Sequence, residues 1–368
     1  MKVLVTGAKG FVGKNLVSEL HNRNYEVYEY DKDSTLDDLD NYTKDCEFVF
    51  HLAGVNRPEN VNEFMEGNFG FTSDLLNKLK ENNNHSSIMI SSSIQALLDN
   101  DYGKSKKAGE DLIFKYGKDN NIKTYVYRFP NLFGKWCRPN YNSVIATFCY
   151  NIANNNDITI NDENKELTLA YIDDVVEELI KCLKDEPTKE NEFCIIPITY
   201  NVTLGKIASL IKSFKESREN LLIPNMEDLF TKKLYSTYLR YLREDEFSYP
   251  VKMNVDERGS FTELFKSLDR GQVSVNVAHP GITKGNHWHH TKNEKFVVVS
   301  GEGLIKFRKL NTKEIIEYRV SGNKIEVIDI PVGYTHNIIN IGNTDLVTIM
   351  WCNELFNKDK PDTYYEEV

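Results

Sequence analysis

Residues Lys2–Gly13 read KVLVTGAKGFVG, and this stretch decides the fold of the first part of the chain. The run Lys2–Val5 is typical of a buried strand, and the glycines behind it permit a tight turn with close backbone approach. A helix that opens near Phe11 presents free N–H groups to a pyrophosphate. Together with Asp31 at the end of the second predicted strand, this order predicts a dinucleotide-binding site. A glycine-rich turn without a ligand is the alternative interpretation.

Up to about Arg243, short β-branched runs alternate with segments of helical periodicity. The predicted strands after the first are Glu26–Tyr30, Phe48–His51, Ile88–Ser92 and Thr124–Arg128. Between them, the segments with apolar residues at helical spacing are Val61–Leu79 and Lys104–Lys115. This alternation predicts an α/β, Rossmann-like doubly wound domain with helices on both faces of a parallel sheet.

From Met253 onward the pattern changes to short alternating runs separated by glycines, with almost no helical periodicity. Strand-like runs there include Val273–Val277, Lys295–Val299 and Leu346–Trp351. Such spacing predicts an all-β sandwich or barrel. We therefore expect a nucleotide-binding domain over residues 1–243, a linker over residues 244–250 and an all-β domain over residues 251–368.

The charge balance restricts the partners that the protein can have. Its 368 residues include 55 acidic and 45 basic side chains, for a formal net charge of -10. A nucleic-acid binder needs a concentrated positive face, so no nucleic-acid partner is expected. The six cysteines form no CxxC pair, and neither a signal segment nor a membrane-spanning run is evident. The sequence predicts a cytoplasmic protein with reduced thiols and no membrane partner.

A second motif, YGKSK at Tyr102–Lys106, places a phenol and an ammonium four residues apart on a predicted helix. The ammonium, with a nicotinamide ribose, lowers the pKa of a nearby phenol, which can then donate a proton to a carbonyl that receives hydride. The serines Ser91–Ser93 end the preceding strand and can supply a hydroxyl that orients this carbonyl. A solvated helix face is the alternative.

These motifs, in their order, resemble those of the extended short-chain dehydrogenase/reductases, a family that largely modifies nucleotide sugars. The resemblance covers Met1 to about Arg243 and includes the segments HLAG at His51–Gly54, RFPNLFG at Arg128–Gly134 and YIDDV at Tyr171–Val175. It implies Tyr102 as the proton donor, Lys106 as its electrostatic partner and Ser93 as the orienting serine. It also implies a nicotinamide cofactor, bound by Gly7, Lys9, Gly10, Phe11, Val12, Gly13, Asp31, Lys32, Leu52, Ala53, Gly54, Tyr102 and Lys106.

The same resemblance implies that Arg128 and Asn131 lie near the sugar nucleotide. A purely structural Arg128 is the alternative, and Asp173 is expected to be a helix cap or loop anchor. The family's 4,6-dehydratases carry Asp-Glu directly after the catalytic hydroxyl, whereas Ile94-Gln95 follows here, so dehydration lacks its acid and base. The loop before the tyrosine is also shorter than the 4-epimerases usually carry. Reduction of a keto sugar is therefore the favoured reaction.

The choice of cofactor depends on two neighbouring residues. An acidic residue at Asp31 suits the ribose 2′-hydroxyl of NADH and repels a 2′-phosphate. Lys32 beside it offsets part of that repulsion. Biosynthetic ketoreductases that this family resembles generally use NADPH, so NADPH is the expected cofactor and NADH the alternative.

Histidines cluster in the second part of the chain, where five of the eight lie between His279 and His336. His287 and His289 are two residues apart on a predicted strand and so point to one side, and Glu294 follows after a turn. Three imidazoles and one carboxylate suit a divalent transition metal, with zinc the default for such ligands. Packed core histidines are the alternative.

Both segments of this cluster resemble the two cupin motifs, and they imply a jelly-roll barrel. The first, from Gly281 to Gly301, has the spacing G-x5-H-x-H-x4-E-x6-G, and the second reads PVGYTHNIIN at Pro331–Asn340. The second cupin motif usually opens with a glycine upstream of this stretch, and Ile325 stands at that position here.

A further resemblance overlaps the cupin one. The segment DERGSFTELF at Asp256–Phe265 looks like the opening of the dTDP-4-keto-6-deoxy-sugar 3,5-epimerases, which implies His287 as the catalytic base. Those enzymes are generally metal-free, so the roles of metal ligand and free base conflict at His287. Arg258 and Glu263 are candidate substrate contacts, with a surface ion pair as the alternative, and Tyr334 is a candidate acid.

An extended reductase joined to a cupin resembles the bifunctional capsular polysaccharide synthesis enzymes over essentially all 368 residues. It implies a UDP-linked 2-acetamido-2,6-dideoxy-4-hexulose substrate, C3 epimerisation in the cupin and then NADPH-dependent reduction at C4. The product would be UDP-2-acetamido-2,6-dideoxy-L-talose, on the route to N-acetyl-L-fucosamine. Zinc in the cupin and a homodimer are further implications. The alternatives are a single-activity ketoreductase whose cupin only binds sugar or mediates dimerisation, and a cofactor-sensing binding protein.

Overall fold

The computed structural model describes all 368 residues, which divide into two compact units. Unit 1 comprises Met1–Lys212 and Leu229–Arg243, and unit 2 comprises Ser213–Asp228 and Glu244–Val368. The expected division after residue 243 therefore misassigns one segment, Ser213–Asp228. Within unit 2 the backbone of this segment pairs with a strand, since the N–H of Ile223 donates to the carbonyl of Lys266 at 2.8 Å. A pairing between residues so far apart leaves no trace in local periodicity.

Unit 1 alternates strands with helices, as the sequence predicts. Its strands are β1 (Lys2–Thr6), β2 (Glu26–Tyr30), β3 (Phe48–His51), β4 (Ser87–Ser93), β5 (Thr124–Phe129), β6 (Asn131–Phe133), β7 (Glu166–Tyr171), β8 (Lys189–Glu190), β9 (Phe193–Cys194) and β10 (Tyr200–Thr203). The helices of the chain are α1 (Phe11–Asn22), α2 (Leu36–Asp45), α3 (Asn62–Phe64), α4 (Phe71–Glu81), α5 (Asp101–Asn120), α6 (Val144–Ala153), α7 (Ile172–Lys181), α8 (Leu204–Asn220) and α9 (Leu229–Leu239). The predicted helix Val61–Leu79 is thus interrupted by a π-helical turn, Met65–Gly70, between α3 and α4.

The main sheet of unit 1 has the strand order β2-β1-β3-β4-β5-β9-β8, and every pair except β8–β9 is parallel. Successive side chains of a strand point to opposite faces of the sheet. Val3 and Val5 accordingly join one hydrophobic cluster with Leu16 of α1, whereas Leu4 joins a second cluster with Leu75 of α4. The two clusters cover both faces of the sheet, which confirms the prediction of a doubly wound α/β domain.

Unit 2 is an all-β structure, as predicted. Its strands are β11 (Met253–Asp256), β12 (Gly259–Ser267), β13 (Gly271–Ala278), β14 (Thr283–Trp288), β15 (Glu294–Ser300), β16 (Glu302–Lys309), β17 (Ile315–Ser321), β18 (Val327–Ile330), β19 (Tyr334–Asn340), β20 (Leu346–Cys352) and β21 (Tyr364–Tyr365). They form two antiparallel sheets of orders β11-β12-β13-β20-β15-β18 and β17-β16-β19-β14-β21. Phe296 and Phe307 come from different sheets and share one hydrophobic core with Ile338.

Two findings bear on the expected environment of the protein. All six cysteines are unpaired thiols, and five of them are buried. Among the helices, none combines the length and the apolar character that crossing a bilayer requires.

Candidate functional site

The glycine turn between β1 and α1 is packed backbone against backbone. A Cβ on Gly7, whose φ is +70°, would lie 2.7 Å from the amide nitrogen of Ala53, and a Cβ on Gly13 would lie 2.1 Å from the carbonyl oxygen of Gly7. Side chains are therefore excluded at both positions. Gly10, the N-cap of α1, offers no side-chain hydrogen bond to the helix start. The N–H groups of the first turn, at Phe11 and Val12, are left to hold an anion such as a pyrophosphate.

Asp31 lies at the carboxyl end of β2, directly beside this turn. One oxygen of its carboxylate accepts the backbone N–H of Lys9 at 2.7 Å and the other accepts that of Lys32 at 2.8 Å. The ammonium of Lys9 pairs with Asp33, whereas the side chain of Lys32 is exposed. The turn, the free helix start and the carboxylate together fit a dinucleotide, so the structure assembles the predicted cofactor residues in one place.

Tyr102, Lys106 and Ser93 converge at the start of α5. The helix begins after Asn100, whose side-chain oxygen accepts the N–H of Gly103 at 2.7 Å. One turn apart on this helix, the ammonium of Lys106 lies 5.9 Å from the centre of the Tyr102 ring. The side chain of Ser93 lies close enough to the Tyr102 phenol to favour its ionised form. A hydroxyl, a phenol and an ammonium thus meet at the carboxyl edge of the parallel sheet.

The three consecutive serines of β4 have different partners. The hydroxyl of Ser92 donates to Glu110 at 2.6 Å, and that of Ser91 donates to the carbonyl of His51 at 3.3 Å. The hydroxyl of Ser93 accepts the N–H of Gln95 at 3.2 Å and is the one serine side chain of the three that acts on the pKa of Tyr102. Of the three serines, Ser93 therefore has the geometry to orient a carbonyl at the phenol.

Burial shifts the pKa values of Lys106 and Tyr102. It lowers the pKa of Lys106 to about 8, while nearby Glu110 opposes this shift. It raises the pKa of Tyr102, while the nearby Ser93 side chain opposes that shift. The sequence predicts a lowered pKa for the phenol. The structure differs because the ammonium of Lys106 donates to the carbonyl of Ser91, at 3.2 Å, and not to the phenol.

Asn68, which the sequence motifs do not include, locks the loop after β3 against α5. Its buried amide accepts the N–H of Val55 at 3.0 Å and donates to the hydroxyl of Ser105 at 3.0 Å. A Cβ on Gly54 would lie 2.7 Å from the Asn68 side-chain oxygen and 2.9 Å from the ammonium of Lys106. In the sequence, only the glycine at position 54 indicates this close contact.

The predicted substrate contacts in unit 1, Arg128 and Asn131, both have partners within the protein. Arg128 forms a two-point ion pair with the fully buried Glu110, at 2.8 and 2.6 Å, and its guanidinium lies 3.9 Å from the centre of the Phe193 ring. These contacts favour the structural alternative over a sugar-nucleotide contact. Asn131 is exposed on β6 and its amide donates to the carbonyl of Thr168 at 3.3 Å.

Asp173 lies in the first turn of α7 and pairs with Lys135. That position fits the expected role of loop anchor. Negative charge in the first turn of a helix is also favourable, because the free N–H groups there carry partial positive charge.

In unit 2, His287 on β14, Glu294 on β15 and His336 on β19 meet His289, which lies just after the end of β14 and not on the predicted strand. Their ligand atoms all lie within 4.8 Å of one another, and His289, Glu294 and His336 are buried. One oxygen of Glu294 lies 3.2 Å from Nε2 of His336 and 3.4 Å from Nε2 of His289. Burial lowers the pKa of His287 to about 3, so its imidazole is neutral at physiological pH.

The donor set fits a divalent metal. Nδ1 of His336 is buried without a hydrogen-bond partner, and its Nε2 lies 3.2 Å from Glu294 without a well-aligned hydrogen bond, which is costly unless a ligand completes the site. The ring of His289 donates from Nδ1 to the carbonyl of Asp362 at 2.5 Å, which leaves Nε2 free for a metal. Three imidazoles and a carboxylate form a donor set that suits a divalent transition metal such as zinc.

A cavity of about 1100 Å³ in unit 2 is lined by His287 and Glu294. The predicted contacts Arg258 and Glu263 also line it, but each has an ion-pair partner: Arg258 binds Asp256 at 2.5 Å and Glu263 binds Lys266 at 2.7 Å. Tyr334, the candidate acid, is absent from the cavity wall and packs against the hydrophobic core. That prediction was wrong because a residue at the start of β19 points into the core.

Lys284, which the sequence motifs also omit, lines the same cavity. Its ammonium donates to the carbonyl of Val277 at 2.7 Å and to the side-chain oxygen of Asn276 at 3.0 Å. Both partners are neutral, and the half-buried charge forms no ion pair within unit 2. Burial lowers its pKa. Lys284 therefore presents to the cavity a positive charge that forms no ion pair.

Comparison with known proteins places this geometry in a family. The sequence matches the NAD dependent epimerase/dehydratase family over residues 3–202, which is more than half of the chain. The chain belongs to this family. Residues 254–364 match the polysaccharide biosynthesis C-terminal domain, so this family member carries the second unit as a recognised domain.

Two relatives resemble this family member over its whole length. The UDP-2-acetamido-2,6-beta-L-arabino-hexul-4-ose reductase of Pseudomonas aeruginosa is 43% identical over 365 residues, with 99% of this chain and 98% of the relative covered. The crystal structure of the capsular polysaccharide assembling protein CapF from Staphylococcus aureus is 55% identical, with a TM-score of 0.95 and complete coverage of both chains. These matches confirm the resemblance to capsular polysaccharide synthesis enzymes.

A more distant structure shows how far the first unit's fold extends. UDP-glucose 4-epimerase from Thermotoga maritima is 18% identical, with a TM-score of 0.54 over 66% of this chain and 98% of the epimerase. At that identity the likeness concerns the fold alone.

Proposed function

We propose that the chain is a bifunctional nucleotide-sugar enzyme. Unit 2 epimerises C3 of a UDP-2-acetamido-2,6-dideoxy-4-hexulose, and unit 1 then reduces the C4 ketone to give UDP-2-acetamido-2,6-dideoxy-L-talose for capsular polysaccharide synthesis. The arrangement of Ser93, Tyr102 and Lys106 beside the glycine turn carries the proposal. The name of the Pseudomonas relative, a hexul-4-ose reductase, supports it.

For the reduction, a bound nicotinamide supplies hydride to C4. Tyr102 donates its phenolic proton to the ketone oxygen while Ser93 orients that oxygen by a hydrogen bond. The ammonium of Lys106 stabilises the phenolate left behind. Tyr102 is more acidic beside a positive charge, so we propose that Lys106 acts in its protonated form.

The proposed cofactor is NADPH. The exposed ammonium of Lys32 stands beside Asp31, and the Asp31 carboxylate already accepts two backbone N–H groups, which weakens its repulsion of a phosphate. Lys32→Glu should raise the KM for NADPH about tenfold and change that for NADH little. Equal KM changes for the two cofactors would argue against this assignment.

For the epimerisation, the C4 ketone acidifies the C3 hydrogen; a base in exchange with solvent takes that proton and leaves an enolate, and a solvent-derived proton returned to the opposite face of C3 inverts its configuration. We propose a divalent metal, by preference zinc, held by His287, His289, Glu294 and His336, where it supplies Lewis-acid stabilisation of the enolate oxygen. As a ligand, His287 has its lone pair engaged and is not a free base. The unpaired charge of Lys284 adds a second stabilising group for the enolate.

The two reactions make chemical sense in one order. Epimerisation at C3 needs the C4 ketone to acidify the C3 hydrogen. Reduction removes the ketone, so it ends the exchange at C3 and fixes the configuration of the product.

The product formed from a UDP-4-keto-6-deoxy-HexNAc and NADPH in D2O tests both steps by NMR. We expect deuterium at C3 and protium at C4 with the native protein. Tyr102→Phe should leave deuterium exchange at C3 and abolish reduction, whereas His336→Ala should do the opposite. Reduction with C3 unexchanged in the native protein would support the alternative, a ketoreductase whose second unit only binds sugar or mediates dimerisation.

We further propose a homodimer, which the resemblance implies, and a cytoplasmic site of action, which the unpaired thiols support. Light scattering at working concentration measures the oligomeric state. A monomer would overturn the proposed homodimer.

A further inference from the structure

The end of the chain folds onto the candidate metal site. Strand β21 pairs with β14, with Tyr365 opposite His287 and Tyr364 opposite Trp288. The N–H of Glu366 donates to the carbonyl of Asn286 at 3.0 Å, which continues this pairing. The segment just before β21 therefore has a fixed position relative to His287 on β14 and to His289 just after it.

Within this segment, Asp362 anchors the loop between two metal ligands. One oxygen of its carboxylate accepts the backbone N–H of His290 at 2.9 Å. The other accepts the N–H groups of Thr291 at 2.7 Å and Lys292 at 2.8 Å, and the Thr291 hydroxyl at 3.1 Å. These donors all belong to the turn that separates His289 from Glu294, and four donors to one carboxylate leave that turn little freedom.

The backbone of the same residue bonds to a ligand directly. The carbonyl oxygen of Asp362 accepts a hydrogen bond from Nδ1 of His289 at 2.5 Å. A carbonyl oxygen can only accept, so the proton of the neutral imidazole is on Nδ1. Nε2, which lies 3.4 Å from the Glu294 carboxylate, then has its lone pair available to a metal ion that the two side chains share.

We propose that Asp362 is the positioning residue of the metal site. Its carboxylate fixes the turn between His289 and Glu294, and its carbonyl sets the tautomer and orientation of His289. This inference rests on the proposed metal site and adds to it a residue 73 positions along the chain from the ligand that it orients. It predicts that the carboxylate of Asp362 contributes to metal affinity without touching the metal.

Chelator competition tests this on the full chain with Zn²⁺ as the probe. Partners that orient ligands contribute about 10–100-fold to metal affinity, so we expect Asp362→Ala to weaken zinc binding by that factor. Asp362→Asn keeps one accepting oxygen and should fall between Asp362→Ala and the native protein. The matched control is Asp345→Ala, which removes an exposed carboxylate bound to His279 in the same unit and should leave zinc affinity unchanged.

Thermal unfolding separates positioning from a merely structural role. If Asp362 positions the ligands, zinc should raise the melting temperature of the variants less than that of the native protein. An equal increase in all proteins, with unchanged zinc affinity, would overturn the proposal. If Asp362→Ala does not fold, zinc affinity and the zinc-dependent rise in melting temperature are measured on Asp362→Asn instead.

The same measurements distinguish an error in the proposed metal site from an error in the positioning role of Asp362. A native protein that binds no zinc in this assay would overturn the site and the positioning role together. A native protein that binds zinc, with Asp362→Asn and Asp362→Ala binding equally well, would overturn the positioning role alone.

Discussion

Lys284 and His287 lie three residues apart on β14, yet both line the same cavity. In a regular strand, residues three apart point to opposite faces. Here a β-bulge places Gly285 opposite Asn337 and His287 opposite His336, so Asn286, with a φ of 60°, is an extra residue. The bulge reverses the alternation and brings the lysine and the metal ligand to one side.

The first prediction concerns the charge that this bulge exposes to the cavity. Lys284→Met removes the cationic side chain that we assign to the enolate beside the metal, so deuterium exchange at C3 should slow by about 10²–10³-fold. Ketone reduction measured on pre-epimerised substrate should persist. Lys295→Met, which removes an exposed lysine paired with Asp329, is the control. Unchanged exchange in Lys284→Met would remove this residue from the mechanism.

A second prediction concerns the pH dependence of reduction. Burial lowers the pKa of Lys106 from 10.5 to about 8, so the ammonium loses its proton as the pH rises through that value. Reduction should therefore decline above about pH 8. Lys106→Arg, which keeps its proton, should move this decline to higher pH, as pH profiles of kcat/KM would show.

The same shift affects stability with a definite sign. Between about pH 8 and 10.5 the unfolded chain binds more protons at Lys106 than the folded protein does, so the free energy of unfolding should rise with pH there. Lys106→Met should lose this contribution. Urea unfolding of the two proteins across this range measures the difference, and parallel pH profiles would contradict the assignment.

A third prediction separates structural from substrate-binding roles at Arg128. Arg128→Met leaves the buried carboxylate of Glu110 without its partner and should lower the free energy of unfolding by about 3–5 kcal/mol. The double variant Glu110→Gln/Arg128→Met should recover much of that loss. A single variant of native stability but with a raised KM for the sugar nucleotide would restore the substrate role.

A fourth prediction concerns the glycine turn. A Cβ in Gly13→Ala would lie 2.1 Å from the carbonyl oxygen of Gly7, so we expect at least a tenfold loss of NADPH affinity. Gly70→Ala is the control, because its nearest neighbour would be 3.8 Å away. Fluorescence titration with NADPH measures both, and equal affinities would refute the steric argument.

What the sequence could predict depended on how local each feature is. The glycine turn, the Tyr102–Lys106 pair and the pair His287 and His289 are set by spacings of a few residues, and the structure brings each group together. The partners Glu110 of Arg128 and Asp362 of His289 come from distant segments, so no spacing indicates them.

The face of Lys284 could not be predicted for a different reason. One inserted residue at Asn286 inverts the alternation from which its face would be inferred. The inward position of Tyr334 is likewise decided by packing against the hydrophobic core and not by its motif.

The backbone packing at the glycine turn also limits how the cofactor preference can be redesigned. Gly7 and Gly13 have no space for side chains, so selection for another cofactor cannot act on them without loss of the turn. The exposed Lys32 and the Lys9–Asp33 pair carry no such steric restriction. Libraries that aim to convert the enzyme between the two nicotinamide cofactors should therefore keep the glycines fixed and vary the few residues after β2.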